Sequence, residues 1–236
     1  MSYKRVLIKI SGEALMGEGA FGIDTQTMLD ICKAVKQVRD SGIDVAIVVG
    51  GGNIFRGIKG AEIGIPEPTA HHMGILATMM NGLAFAEAFK SIGQDAVALS
   101  SIPVDAMCPV YARWRALEAM QAGKIVICTG GTGNPFFTTD SGALLRAIEL
   151  QCDATLKATQ VDGIYNADPK MDPTAQRYEK IDYNTVLKDD LRVMDAAAIA
   201  LARDNKMPII VFSLENPSDM LSVIQGKGKF TLVQPD

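Results

Sequence analysis

Six short runs rich in Val, Ile and Leu alternate with longer stretches of helical character, and this alternation leaves few architectures open to the chain. The runs are Arg5–Ile10, Asp44–Val49, Asp95–Leu99, Lys124–Thr129, Ala154–Ala158 and Ile209–Phe212. Several are apolar throughout, as strands covered on both faces are. Between them lie helix candidates at Thr25–Arg39, His72–Lys90, Tyr111–Gln121, Ser141–Leu150 and Asp195–Asn205. Asn216-Pro217 opens another, with Asn as N-cap and Pro at the first helical position. Gly42 and Gly123 stand where helices would end. The pattern predicts an α/β fold, a mostly parallel sheet with helices on both faces. Val161–Tyr178 departs from it. This stretch is rich in Asp, Gly, Pro, Asn and Thr and carries the turn pair Asp162-Gly163, which reads as a hairpin or excursion within a second lobe.

Length and charge narrow the function classes. A chain of 236 residues can form one large domain or two small ones and bury a substantial core. The net charge is −4 and no dense Lys/Arg run occurs, which argues against a broad nucleic-acid surface. Anions would have to be held at local sites. Cys32, Cys108, Cys128 and Cys152 form no CxxC pair and have no His at metal spacing, so they read as reduced, mostly core residues. No apolar run approaches about 18–20 residues, so neither a membrane span nor a secretory leader is expected and the cytoplasm is the default.

In open α/β sheets, ligands sit beyond the C-terminal ends of the strands. Four of those ends have unusual compositions here. The first runs into Lys9-Ile10-Ser11-Gly12, and the second into Gly50-Gly51-Gly52-Asn53 and then Arg56-Gly57. The fourth runs into Gly130-Gly131-Thr132-Gly133-Asn134 and then Thr138-Thr139-Asp140-Ser141. The fifth runs into Lys157-Ala158-Thr159. Glycine lets the backbone approach a phosphate, successive N–H groups form a nest, and a following helix N-terminus adds its dipole. Any one such loop could be an ordinary turn. Four on one rim point to anion binding.

Individual residues sharpen this. Lys9, at the end of an apolar strand, reads as a phosphate contact, and Arg56 could reach the same phosphates. Asp140 could complement a helix N-terminus, orient Lys9 or hold a metal-bound water. Lys157 is a lesser candidate of the same kind as Lys9. No GxxxxGK loop ending in Ser or Thr occurs. Gly17-Glu18-Gly19-Ala20-Phe21-Gly22 matches GxGxxG literally, but it begins several residues after the first strand, and no acid follows the second strand to bind a ribose. A mobile loop or regulatory contact suits it better than a dinucleotide site. His71 and His72 lack a third ligand at metal spacing, and no Ser sits in a G-x-S-x-G context. Met73, Leu76, Met80, Leu83 and Ala84 share a helix spacing that suits core packing or a subunit interface.

Taken together, KISGEAL (9–15), VVGGGNIFRG (48–57), HMGILATMMNGLA (72–84), GTGNPFFTTDS (131–141), LKATQVDGIYNADP (156–169) and VMDAAAIALARDNKMPIIVF (193–212) resemble the bacterial uridylate kinases of the amino acid kinase superfamily. GTGNPFFTTDS is characteristic of that branch. The resemblance implies a three-layer αβα sandwich around a mostly parallel sheet. It also implies one amino acid kinase domain, with an acceptor-binding lobe over about 1–150 and an ATP-binding lobe over about 151–236. It implies ATP and UMP as substrates, Mg²⁺, GTP activation, UTP inhibition and a homohexamer. Carried over, Lys9, Ile10, Ser11, Gly12, Gly52 and Arg56 contact ATP, and Thr159, Tyr165 and Asp168 hold its adenosine end. Gly51, Thr132, Gly133, Asn134, Pro135, Phe136, Phe137, Thr138 and Thr139 form the UMP site. Gly17, Glu18, Gly19, Ala20, Phe21 and Gly22 match the place of the GTP effector. His71 departs from the family, which commonly has Asp there on the UMP ribose.

On this reading the acceptor is a phosphate oxygen, already anionic, so no general base is needed. Lys9, Arg56 and Mg²⁺ would neutralise charge while Asp140 orients the site. The alternatives are a sister kinase of a carboxylate or carbamate, and a non-catalytic nucleotide sensor on the same fold.

Overall fold

The computed structural model describes residues 3–55, 64–169, 171–191 and 193–235. Arg56, together with Gly57, lies outside them. The strands are β1 (Arg5–Ile10), β2 (Asp44–Val49), β3 (Ala96–Ser100), β4 (Ile125–Thr129), β5 (Ala154–Thr159), β6 (Lys180–Asp182), β7 (Ile209–Ser213) and β8 (Thr231–Gln234). The helices are α1 (Thr25–Asp40), α2 (Glu67–Ser91), α3 (Arg113–Gln121), α4 (Thr139–Glu149), α5 (Tyr183–Lys188), α6 (Ala196–Asp204) and α7 (Met220–Ile224). One sheet holds the strands in the order β3-β4-β2-β1-β5-β7-β8-β6, and every pairing is parallel except β7 with β8.

The apolar strands are explained by two cores, one on each face of the sheet. Side chains alternate along a strand, so Val6, Ile8 and Ile10 of β1 point to one face and Leu7 to the other. On the first face they meet Met28, Ile31 and Val35 of α1, Phe85 and Phe89 of α2, and Val223 of α7. On the second, Leu7 and Val48 meet Ala116 of α3, Leu144 of α4, Val186 of α5 and Ile199 of α6. Each fully buried Leu, Ile or Val stabilises the fold by about 1.5–3 kcal/mol. The result is the expected αβα sandwich.

The order in which strands are added to the sheet reverses around β1, while the strands themselves stay parallel. From β1 the chain passes by α1 to β2 on one side, whereas α4 carries it from β4 across to β5 on the other. A reversal of this kind opens a crevice at the strand ends, and β4, β2, β1 and β5, whose ends carry the unusual loops, are four consecutive neighbours.

Some boundaries differ from the sequence reading for identifiable reasons. Helix α2 starts at Glu67, five residues ahead of His72, because Pro68 occupies its first turn, where a missing N–H costs nothing. The helix after Asn216 begins as a 3₁₀ turn, Pro217–Asp219. The Asn216 side chain accepts from the Ser218 hydroxyl (2.8 Å) instead of capping the backbone. The edge strand β6, its short neighbour β8 and the short helix α5 are not marked by the sequence pattern. The stretch from Val161 to Tyr178 is a hairpin-like excursion, with Tyr165 bridged to Arg177 and the Tyr178 N–H donating to the Ile164 carbonyl.

Helix α2 lies against β4 at Gly82, where an added Cβ would fall 2.0 Å from Thr129 Cγ2 and 3.4 Å from Ile127 Cγ2. Gly82→Ala should therefore lower stability by about 1–3 kcal/mol, despite the better helix propensity of Ala. Urea denaturation would measure this. A variant as stable as the parent would mean that helix and strand do not touch there.

Candidate active site

Lys9 and Lys157 are register partners on adjacent parallel strands and share the second face of the sheet. Both side chains are largely withdrawn from solvent. Two ammonium groups held side by side in a low-dielectric setting need a counter-charge, and the N-terminus of α4 supplies it. Asp140 Oδ1 lies 2.7 Å from the Lys9 Nζ as an ion pair, and Oδ2 accepts a 2.7 Å hydrogen bond from the Lys157 Nζ. Lys157 also donates to the Val193 carbonyl.

Charge and burial oppose each other here. Burial alone would push the Asp140 carboxyl up, but the pull of Lys9 and Lys157 outweighs it and holds the group below the usual carboxylate value. Burial also lowers Lys157. The nearby Lys9 adds to that effect and Asp140 works against it. Asp140 is the only acid among the buried described residues. Two lysines share the one buried carboxylate, and Asp195 acts on Lys157 from beyond the Thr138 and Ser141 hydroxyls.

The start of α4 is fixed on a second side. The Thr138 hydroxyl accepts from the Asp140 N–H (3.0 Å) and donates to Asp195, while the Ser141 hydroxyl donates to Asp195 Oδ1 (2.9 Å). Asp195 in turn caps α6 by accepting from the Ala198 N–H (2.8 Å). Sequence reasoning took Asp195 for an ordinary first residue of a helix. The only available signal was its place before Ala196-Ala197-Ala198, the position of an N-cap.

The glycine loops crowd together on the rim. A Cβ on Gly12 would lie 2.7 Å from the Gly50 carbonyl oxygen and 2.6 Å from Asn53 Oδ1, so only glycine lets the loops after β1 and β2 meet. After β4, Gly130, Gly131 and Gly133 take φ of +79°, +56° and +80°, a left-handed path that β-carbons disfavour.

Beside these loops opens a cavity of about 730 Å³. Gly51, His71, Thr132, Asn134, Phe137, Thr138 and Thr139, all expected at an acceptor site, line it together with Gly52. Of the same expected set, Gly133, Pro135 and Phe136 belong to the loop but not to the lining. The Phe136 ring meets His71 with 4.9 Å between centroids. On the other side of the rim, Ile10 and Ser11 follow Lys9, and Thr159 ends β5. Tyr165 lies in the excursion with Asp168 and donates to Asp162 (2.6 Å). Among the described residues no group of three His, Cys, Asp or Glu side chains could by itself hold a metal ion.

Residues Gly17–Gly22 stand apart from this centre. Gly17, Glu18, Gly19 and Phe21, with Asp24 and Thr27, border a depression of about 540 Å³ beside the start of α1, Ala20 and Gly22 lie outside its lining, and Phe21 is exposed. The four cysteines are buried and free, and burial pushes the Cys32 and Cys128 thiols up to about 12. No described helix is long and apolar enough to cross a membrane.

Asp140 makes a testable contribution to stability. Its folded pKa lies below the unfolded 3.8, so the contribution is present above that value and disappears as pH falls through the lower folded one. Asp140→Asn should cost roughly 3–5 kcal/mol at neutral pH by leaving two buried ammonium groups uncompensated. It should also flatten the acid limb of the stability curve below about pH 4. Urea midpoints between pH 3 and 8 would show both effects (range chosen around the carboxylate pKa).

Comparison with known proteins agrees with this geometry. The amino acid kinase family matches residues 4–213. A uridylate kinase of Azorhizobium caulinodans is 52% identical over 235 residues, covering 100% of this chain and 99% of the relative. One from Hyphomonas neptunium is 49% identical over 99% of this chain and 93% of its own length. The crystal structure of a UMP kinase from Bacillus anthracis superposes with a TM-score of 0.97 at 40% identity, covering 100% of this chain and 98% of that one. The chain therefore belongs to the amino acid kinase family, within its uridylate kinase branch.

Proposed function

We propose that this chain transfers the γ-phosphoryl group of ATP to UMP, giving UDP and ADP, by in-line transfer between two anions held on one rim. Its uridylate kinase relatives support the reaction. The observation that carries the mechanism is the Lys9–Asp140–Lys157 cluster, buried beside a cavity lined by Gly51 and by residues of the Gly131–Thr139 loop. ATP would lie over the ends of β1 and β5, with its phosphates on Lys9 through Gly12 and Gly52. Its adenosine end would rest near Thr159, Tyr165 and Asp168. UMP would enter the 730 Å³ cavity, with its base toward Phe137 and Asn134 and its ribose near His71.

A nucleoside monophosphate presents an oxygen that is already ionised, so no side chain has to remove a proton. The chain's work is positioning and charge compensation. Lys9 and Lys157 would share the charge of the transferring group, with Arg56 as a third cation, and Asp140 would hold the two lysines at fixed positions. Mg²⁺ would arrive on the ATP phosphates and neutralise charge between them. A small cation that keeps most of its waters suits a rim with one buried carboxylate, and Asp140 would meet it through water.

Regulation and assembly follow as further parts of the proposal. GTP would bind at Gly17–Gly22 and UTP would compete at the acceptor cavity. Among the described residues, the depression at Gly17–Gly22 has the acidic Glu18 and Asp24 in its lining. Leu76 and Met80, about half exposed on α2, offer an apolar contact for a homohexamer acting in the cytoplasm.

The decisive assay is ADP release from ATP-Mg²⁺ with UMP, CMP, aspartate, glutamate or carbamate as acceptor. UMP alone should support turnover, and release with a carboxylate but not UMP would overturn the proposal. Lys9→Ala should lower kcat about 100- to 1000-fold with an unchanged circular dichroism spectrum. Near-normal turnover in that variant would remove Lys9 from the chemistry.

A further inference from the structure

Asn53 and Asn81 are two fully buried amides that the reaction above does not use, being 1% and 0% exposed. Each donates to the other's side-chain oxygen, Asn53 to Asn81 at 3.0 Å and Asn81 to Asn53 at 2.7 Å. The second N–H of each reaches a backbone carbonyl. Asn53 donates to Gly22 (2.9 Å), and Asn81 donates to Gly50 (2.7 Å). The pair is thus a closed, satisfied unit with two different ends. One end holds the Gly17–Gly22 segment, whose Gly22 N–H also donates to the Asn53 carbonyl (2.7 Å). The other end holds the first peptide of the glycine triplet.

The Gly50 bond has a geometric consequence. No cis peptide occurs among the described residues, so the Gly50–Gly51 unit is trans and planar, with its C=O and N–H pointing in opposite directions. Drawing the Gly50 carbonyl inward to Asn81 turns the Gly51 N–H to the opposite side, away from Asn81. Gly51 borders the acceptor cavity. Glycine has little torsional preference of its own, and without this anchor the peptide could flip and present a carbonyl oxygen to an incoming phosphate.

We propose that Asn81 is a positioning residue that, through the Gly50 carbonyl, aims the Gly51 N–H at the phosphate of the acceptor nucleotide, whereas Asn53 serves to anchor the Gly22 end of the pair. This rests on the reading of the 730 Å³ cavity as the UMP site. The two ends of the pair make it testable. Asn81→Ala removes the Gly50 anchor and should raise KM for UMP about tenfold while changing kcat less, as expected when a hydrogen bond made equally in ground and transition states is lost. Asn53→Ala removes as many buried hydrogen bonds but leaves the Gly50 bond available. It should lower the melting temperature by a similar amount while KM for UMP stays within about twofold. If Asn81→Ala does not fold, Asn81→Ser, neutral and shorter than the amide that reaches Gly50, serves in its place. Equal rises in KM from both sites, or none from Asn81, would reduce the pair to a structural one and overturn the proposal. Phe137→Ala reports on the underlying reading separately. It should also raise KM for UMP, and an unchanged value would move the acceptor out of this cavity and remove the basis of the inference.

Discussion

Two ammonium groups one strand apart on the same face would repel each other strongly in a dry interior, and Asp140 is what makes the arrangement tenable. Its carboxylate bridges both lysines from the start of α4, tying that helix to β1 and β5 together. The Thr138 and Ser141 hydroxyls then lock the same helix turn to Asp195 and so to α6. One buried carboxylate thereby sets the distance between two cations, and Asp195 ties the N-termini of α4 and α6 together beside it. The depressed pKa of Asp140 keeps it ionised across the physiological range.

The cluster matters only because glycine brings the rest of the rim close. Gly12 allows the loops after β1 and β2 to touch, and the left-handed path through Gly130 and Gly131 turns the loop after β4 toward the same opening. Helix α2 closes the far side of the cavity with His71, Gly74 and Thr78. The Thr78 hydroxyl accepts from the Gly130 N–H (2.9 Å), joining α2 to the acceptor loop. Backbone shape and side-chain charge therefore come from different elements, and only the sheet register brings them together.

That division explains what could be read from sequence. The six principal strands were legible because burial on both faces leaves nearly unbroken apolar runs. Lys9 stood out because it interrupts such a run at a strand end, and the glycine loops because they recur at four neighbouring ends. Strands β6 and β8 were not legible, since strands of only three or four residues pair by tertiary context and carry little pattern of their own. Asp195, Asn53 and Asn81 were missed for a related reason. Each acts on a group distant in sequence, Asn81 on Gly50 and Asp195 on Thr138, and nothing local marks such a partnership. The pairing of Lys157 with Lys9 likewise became visible only in the register of β1 against β5.

The two glycine-rich segments joined by Asn53 show why spacing alone is a weak guide to phosphate binding. Gly17–Gly22 has the literal GxGxxG pattern, yet it borders a separate depression from the acceptor cavity, with the acidic Glu18 and Asp24 beside it. Gly50–Gly52 matches no familiar fingerprint. It sits at the end of β2, next to the strand that carries Lys9, and a buried amide turns its first peptide. An anion responds to the direction of N–H groups and the sign of nearby charge, not to the count of glycines. Glycine supplies only the freedom to adopt the right direction. In this fold the choice among directions falls to residues such as Asn81 and Asp140, which are buried beneath the rim.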